Sequence, residues 1–271
     1  MDSATIATEL LTARYRVRQL PPVSEAAADF SVDQAYDVAA EILKARRSAG
    51  ELPVGRKIGF TNRGIWQEYG VTAPIWGYVY DKTLRMAPEN AGLQSLKGAM
   101  EPKIEPEIVL KLRQAPRPGM NEQDLAECID WIAHGFEIVH SLYPGWRFSG
   151  ADTIAAFGMH GVLIVGSPRQ VRTIEGLNRD LVRELRSFQV SLFCNGELRD
   201  SGVGTNVLDS PLLALKHLVE LLVHLPRHKP LAVGEIVTTG TLTAALPIKP
   251  GQTWHTAFTG IDLPGLSLRF A

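Results

Sequence analysis

Cysteine is almost missing: the 271-residue chain has two, Cys128 and Cys194, far apart and in no CxxC or Cys/His spacing. That argues against a disulfide framework and a zinc site, and for buried thiols in a reducing compartment. An excess of one charge is missing too. With 28 Lys+Arg against 29 Asp+Glu, a formal net charge of -1 and no run of Lys or Arg, nothing is there to neutralise a phosphate backbone, so nucleic acid is not an expected partner. No long apolar run survives uninterrupted, since Lys216, His217 and Glu220 break the richest one. The start, Met1-Asp2-Ser3, has no basic stretch leading into an apolar one. Neither membrane insertion nor export is expected, and the cytoplasm is the expected location. A GxSxG elbow, an HExxH helix and a Walker-type loop ending in Lys-Ser or Lys-Thr are all absent, and Gly202-Val203-Gly204 lacks the third glycine of a dinucleotide fingerprint. What remains is 45% hydrophobic and 21% charged, enough for a real core in one large domain or two small ones.

The first fifty residues read helical. Ser3 is a candidate cap for a run through Leu10, Leu11 and Tyr15, and Ser31 with Gln34 forms a capping-box pattern for a second helix that stops near Gly50. Lys57 to Phe60 is a short apolar segment, and Asn62 can cap a helix through Gln67 that ends at Gly70. Strand texture then takes over at Tyr78 to Tyr80, Ile104 to Leu112, Phe136 to Val139, Val162 to Val165 and Phe188 to Cys194. Asn195-Gly196 is a hairpin turn signal, because both residues tolerate the positive φ of a type I′ turn. Pro211 opens a helix through Val223, and strands return at Glu235 to Val237, Thr253 to Phe258 and Leu266 to Phe270. Strands and helices without regular alternation predict an α+β fold, β-rich, with residues 1–75 a helical N-terminal region packed on a core of residues 76–271.

The segment from Glu101 to Leu112 places apolar residues or Pro at every second position, the period of a strand. Side chains two apart share a face, so Glu101, Lys103, Glu105 and Glu107 line one surface while Ile104, Ile108, Leu110 and Leu112 enter the core. Two like charges about 4 Å apart repel by roughly 4 kcal/mol at an effective dielectric near 20, so such a pair calls for a cation, a proton or open water. Glu137 is a third acid, set in what otherwise reads as a buried strand entered just after a helix. Oxygen-only ligation without Cys suits magnesium or manganese rather than zinc. From spacing alone, the alternative is a solvated strand face for Glu105 and Glu107 with Glu137 paired to an arginine.

Lys57-Ile58-Gly59-Phe60-Thr61, Pro74-Ile75-Trp76-Gly77, Ile104-Glu105-Pro106-Glu107, Glu137-Ile138-Val139, Asp152-Thr153 and Thr238-Thr239-Gly240 occur in an order that resembles the 2-keto-4-pentenoate hydratase and 4-oxalocrotonate decarboxylase family. That family belongs to the fumarylacetoacetate hydrolase superfamily, and the likeness runs from about Gly55 to the C-terminus. It implies a mixed β-roll core and a homo-oligomer. It also implies a divalent ion held by Glu105, Glu107 and Glu137, and a small 2-oxo or 2-hydroxy-dienoic acid as substrate, with Lys57 and Asp81 beside it. For the residues alone, a surface lysine and a turn-capping aspartate stay open. Arg63, Trp76, Asp152, Phe157, Gly240 and Thr241 are the expected substrate contacts, with Trp66 and Tyr69 as further rim candidates.

One stretch departs from the pattern. Ala155 to Gly161 carries Phe157, Met159 and His160 where hydratases of this kind have small polar residues, so His160 is expected either as a proton donor to the substrate or as a histidine bonded to backbone. Hydration of a 2-hydroxy-dienoate is the leading expectation and decarboxylation of a 2-oxo-enedioate the second. Acylpyruvate hydrolysis is disfavoured, since that chemistry uses an N-terminal histidine and all seven histidines lie at or after His134. A non-catalytic homologue would be expected to lack a ligand, and all three acids and the lysine are present.

Overall fold

The N-terminal helices follow their capping signals. In the computed structural model, which describes residues 2–69, 71–171 and 178–271, α1 (Ser3–Tyr15) is capped by Asp2 rather than Ser3, its carboxylate accepting from the N–H groups of Ala4 and Thr5 at 3.0 Å. An anionic cap also meets the positive end of the helix dipole, which a serine hydroxyl does not. After α2 (Val23–Ala26), α3 (Val32–Ser48) begins with the expected Ser31–Gln34 capping box and ends before Gly50. Asn62 caps a single 3-10 turn that leads into the short α4 (Trp66–Tyr69), and Gly70 lies outside the described residues.

The strands before the middle of the chain are β1 (Pro53–Gly59), β2 (Ile75–Tyr80), β3 (Leu84–Met86), β4 (Ala91–Gln94) and β5 (Lys103–Leu112). Then come α5 (Glu122–Glu127), β6 (Ile129–Val139), α6 (Gly150–Ala155), β7 (His160–Val165), β8 (Arg169–Gln170) and α7 (Asn178–Ser187). The chain closes with β9 (Gln189–Cys194), β10 (Glu197–Val203), α8 (Pro211–Val223), β11 (Ile236–Thr241), β12 (Leu246–Pro247), β13 (Thr253–Thr259) and β14 (Ser267–Phe270). The β9–β10 hairpin turns on Asn195 and Gly196, both at positive φ, as its type I′ signal requires.

These strands make two sheets. The larger, nine-stranded sheet runs β2-β1-β11-β5-β6-β7-β3, with β12 beside β5 and β8 beside β6; β1 is parallel to β11 and β3 to β7, and the other pairs are antiparallel. The smaller runs β10-β9-β13-β14-β4. Leu192, Trp254, Leu268 and Phe270 of the small sheet share a core with Ile104, Phe136 and Ile138 of the large one. The other main core joins α1, α3 and α8 to the large sheet. The architecture is the α+β, β-rich mixed roll with a helical N-terminal region. β1 falls before residue 76 and yet stands between β2 and β11, so the sheet reaches further toward the N-terminus than a division at residue 75 implies. Cys128 and Cys194 are free and buried. Among the described residues no helix is long and apolar enough to cross a membrane.

Candidate active site

β5 and β6 build the centre. Their antiparallel register sets Glu105 directly opposite Glu137 and Glu107 opposite Gly135, which puts all three acids on one face as direct and diagonal neighbours. One carboxylate oxygen from each lies within 4.8 Å of the others. Glu107 and Glu137 are fully buried, and Glu105 is partly open. The expected fourth member, Glu101, precedes β5 with a left-handed φ of 49°, and its carboxylate takes hydrogen bonds from Gln19 and the Gly145 N–H.

Pro106 lies between two of these acids in a central strand, where a residue without an N–H is unusual. Its carbonyl accepts from Leu242 N, so its missing donor also faces β11. There the β11 register shifts between Thr238 and Thr241. The Gly240 N–H, released from the ladder, donates instead to Glu107 Oε2 at 2.8 Å. Glu137 Oε1 accepts from the His160 ring at 2.7 Å, and Oε2 stands 3.2 Å from Lys57 Nζ without hydrogen-bond alignment. Glu107 Oε1 and Glu137 Oε2 are thus buried carboxylate oxygens without a hydrogen-bond partner, and buried groups of this kind are costly unless something completes them.

Lys57 enters from β1, where its cross-strand neighbour is Gly77. A side chain on Gly77 would strike the Phe157 carbonyl at 2.8 Å, so the glycine lets the turn at residues 157–159 settle onto β2. Phe157, Gly158 and Met159 all have positive φ, an arrangement that L-residues pay for in backbone strain. The turn delivers the Gly158 carbonyl to Lys57 Nζ at 3.0 Å. Burial works against the lysine charge, but Glu137, then Glu105 and Glu107, more than offset it and raise its pKa. Burial pushes Glu105 up to about 7 and Glu107 well above its usual range, with Glu137 adding to both. For Glu137 burial acts in the same upward direction, but Lys57 and the His160 hydrogen bond overcome it and bring the group down to about 2. Three acids against one lysine, with two oxygens lacking a hydrogen bond, fit a hard divalent cation held by oxygen donors.

A cavity of about 510 Å³ opens above this centre. Of the expected residues, Lys57, Glu105 and Thr241 line it; Glu107, Glu137 and Gly240 do not, and lie behind the wall, tied to it by the Lys57–Glu137 ion pair and to each other by the Gly240–Glu107 hydrogen bond. Several expected contacts are elsewhere. Asp81 accepts from Leu52 N at 2.9 Å, far from its own turn in sequence, and pairs with Lys82, and it does not line the cavity. Arg63 is exposed and paired with Asp209. Trp76 is stacked on Tyr36 within the core, because its parity on β2 is opposite to that of the cavity face. Asp152 is the third residue of the α6 capping box, and it also accepts from Ser24 N at 3.0 Å, so its oxygens are fully engaged. The left-handed turn directs Phe157 under Arg14 of α1, 4.7 Å from its ring centre, rather than to substrate. His160 is buried, with both ring nitrogens bonded, and does not line the cavity. Trp66 donates to the Phe60 carbonyl, and the Tyr69 side chain lies outside the described residues.

The cavity wall also contains residues not anticipated as contacts: Lys103, Trp146, Phe148, Thr153 and Asn206. Lys103 was readable in principle, since it shares strand parity with Glu105 and Glu107. Thr153 neighbours Asp152 in the Asp-Thr pair. The aromatic pair follows Pro144-Gly145, where no periodic pattern reports direction.

No family model matches the chain. It is 30% identical over 257 residues to a 2-keto-4-pentenoate hydratase of Paraburkholderia xenovorans (strain LB400), covering 94% of this chain and 90% of that one. The chain belongs to the 2-keto-4-pentenoate hydratase and 4-oxalocrotonate decarboxylase family. A solved structure of 4-oxalocrotonate decarboxylase from Pseudomonas putida G7, complexed with magnesium and adipate, superposes with a TM-score of 0.88 at 26% identity over 99% of this chain and 97% of that chain. A yeast fumarylacetoacetate hydrolase family protein shares the fold at a TM-score of 0.54 and 15% identity, over 79% of this chain and 91% of that one. Hydratases and decarboxylases of the family are lyases.

Proposed function

We propose that this chain is a divalent-metal-dependent hydro-lyase that adds water to a short 2-hydroxy-dienoate, by way of its 2-oxo-enoate form, of the kind that aromatic ring cleavage yields. The carrying observation is the Glu105–Glu137 strand pair with Glu107 beside it, two buried carboxylate oxygens without a hydrogen bond, and Lys57 in the wall of an open cavity. Glu105, Glu107 and Glu137 would hold magnesium or manganese, both of which suit oxygen donors. When bound, such an ion supplies positive charge that favours the enolate of a 2-oxo acid. The setting that accompanies this reading is a cytoplasmic homo-oligomer.

Lys57 has three N–H donors, of which one goes to the Gly158 carbonyl and another faces Glu137. The third is available to hold the substrate carboxylate and to give a proton during ketonisation; the acids hold the ammonium protonated, and a cation among them would offset that pull and make it the better acid. Thr153 and Thr241 donate their hydroxyl protons to Ser149 O and Thr243 O, so toward the cavity both are acceptors able to orient a water molecule. Ile58, Phe60, Ile75, Val139 and Met159 give the cavity apolar walls that favour the hydrocarbon part of the substrate over bulk water.

A second reading rests on Lys103. It lies in the same wall, 4.1 Å from the Trp146 ring centre, and places a second cation where the second carboxylate of a 2-oxo-enedioate would be recognised. The test is turnover of 2-hydroxypenta-2,4-dienoate and 2-oxohex-3-enedioate, with magnesium or with EDTA, following dienol absorbance and carbon dioxide separately. Chelator-sensitive dienol loss without carbon dioxide is the expected result. Metal-dependent carbon dioxide release would promote the second reading, and silence on both substrates would overturn both.

A further inference from the structure

His160 is 1% exposed and bonded at three points. Its carbonyl accepts from Arg14 Nη1 at 2.7 Å, its Nδ1 meets Glu137 Oε1 at 2.7 Å, and its Nε2 meets Thr83 Oγ1 at 2.8 Å. A carboxylate only accepts, so Nδ1 carries the proton in that contact. In the neutral ring Nε2 then accepts the Thr83 hydroxyl proton, since the competing acceptor of that proton, Tyr80 O, is farther away at 3.2 Å. Thr83 is itself fixed, accepting from Tyr80 N at 3.1 Å in the turn that follows β2. The ring therefore has no free rotation, and one oxygen of Glu137 is permanently taken.

We propose that His160, locked by Thr83, is the positioning residue of the metal centre: it occupies Glu137 Oε1 and so leaves Oε2, which lies 3.2 Å from Lys57 Nζ, as the oxygen that would bind an ion. The inference rests on the metal-site reading above. Outer residues that orient a ligand act on metal affinity, whereas a histidine that merely fills the core acts on the stability of the metal-free fold.

Calorimetric titration of the EDTA-treated full-length protein with manganese chloride, beside thermal melts in EDTA, separates these roles. His160→Phe keeps a ring and removes both bonds; its Kd for manganese is expected to weaken by about 10–100-fold. His160→Asn presents an amide N–H close to the Nδ1 position and is expected to recover much of the affinity. Thr83→Val, which touches neither ligand nor cavity, is expected to lie between wild type and His160→Phe, and it carries the test if His160→Phe does not fold. A wild-type Kd in folded His160→Phe, or in Thr83→Val where His160→Phe does not fold, would overturn the proposal while leaving the metal site standing. A wild-type protein that takes up no manganese would overturn the metal site and this proposal together.

Discussion

Arg56 and Lys57 are consecutive buried cations on β1, and the strand turns them to opposite faces. Arg56 pairs with Glu235 at 2.6 Å and lies 4.2 Å from the ring centre of Tyr78, its cross-strand partner. One cation meets one acid there, in an aromatic setting with Trp76 and His228 nearby. Lys57 faces three acids, pairing with Glu137 at 3.2 Å, and two of their carboxylate oxygens still lack a hydrogen bond. An ion pair that maintains a fold balances its charge from within, whereas a centre that handles a ligand leaves the balance to the ligand. On a sequence the two lysine-or-arginine positions look alike; the number of acids facing each one separates them.

The contrast can be broken from either side. The largest effect is expected from Glu107→Gln, which should reduce metal-dependent turnover to background while the melting transition in EDTA survives; wild-type-like turnover would refute the assignment of the acids. Lys57→Met should lower kcat by roughly 10²–10⁴-fold, the range for loss of a positioned proton donor, while manganese titration shows a much smaller change in Kd. Equal losses of turnover and affinity would make Lys57 structural, like its neighbour. Arg56→Met should do the reverse, costing about 3–5 kcal/mol of stability by stranding Glu235, with kcat of the folded protein near wild type at a temperature below its melt.

The smallest effect concerns protons. In the metal-free site Glu105, near 7, is partly protonated at neutral pH and Glu107 more so, yet both must ionise to act as ligands. Metal uptake should therefore release protons at pH 7, and affinity should rise from pH 6 to pH 8. Calorimetry in two buffers of different ionisation enthalpy measures the release, and its absence would mean that the acids are already ionised.

Strand periodicity made the carboxylate face legible, because alternation in residues 103–112 fixes which side chains share a side. The partner strand was legible only as a strand; nothing local told that Glu137 stands opposite Glu105, since register depends on contacts made across the sheet. Asp152 carries a local signal of its own: Ser149-x-x-Asp152 is a capping-box pattern, and it accounts for the carboxylate without any substrate. Phe157 and His160 were out of reach, because three successive left-handed residues reverse the direction that ordinary periodicity assumes. Asp81 could be placed in a turn but not aimed from sequence, and the structure gives its carboxylate to Leu52.

Arg14, on the first helix, donates to the carbonyl of His160 and covers Phe157, so it clamps the same turn whose Gly158 carbonyl holds Lys57. No residue of that helix lines the cavity. Lys57 is thus moored, two contacts away, to the first helix, and clipping or redesigning that helix amounts to surgery on the candidate active site performed at a distance.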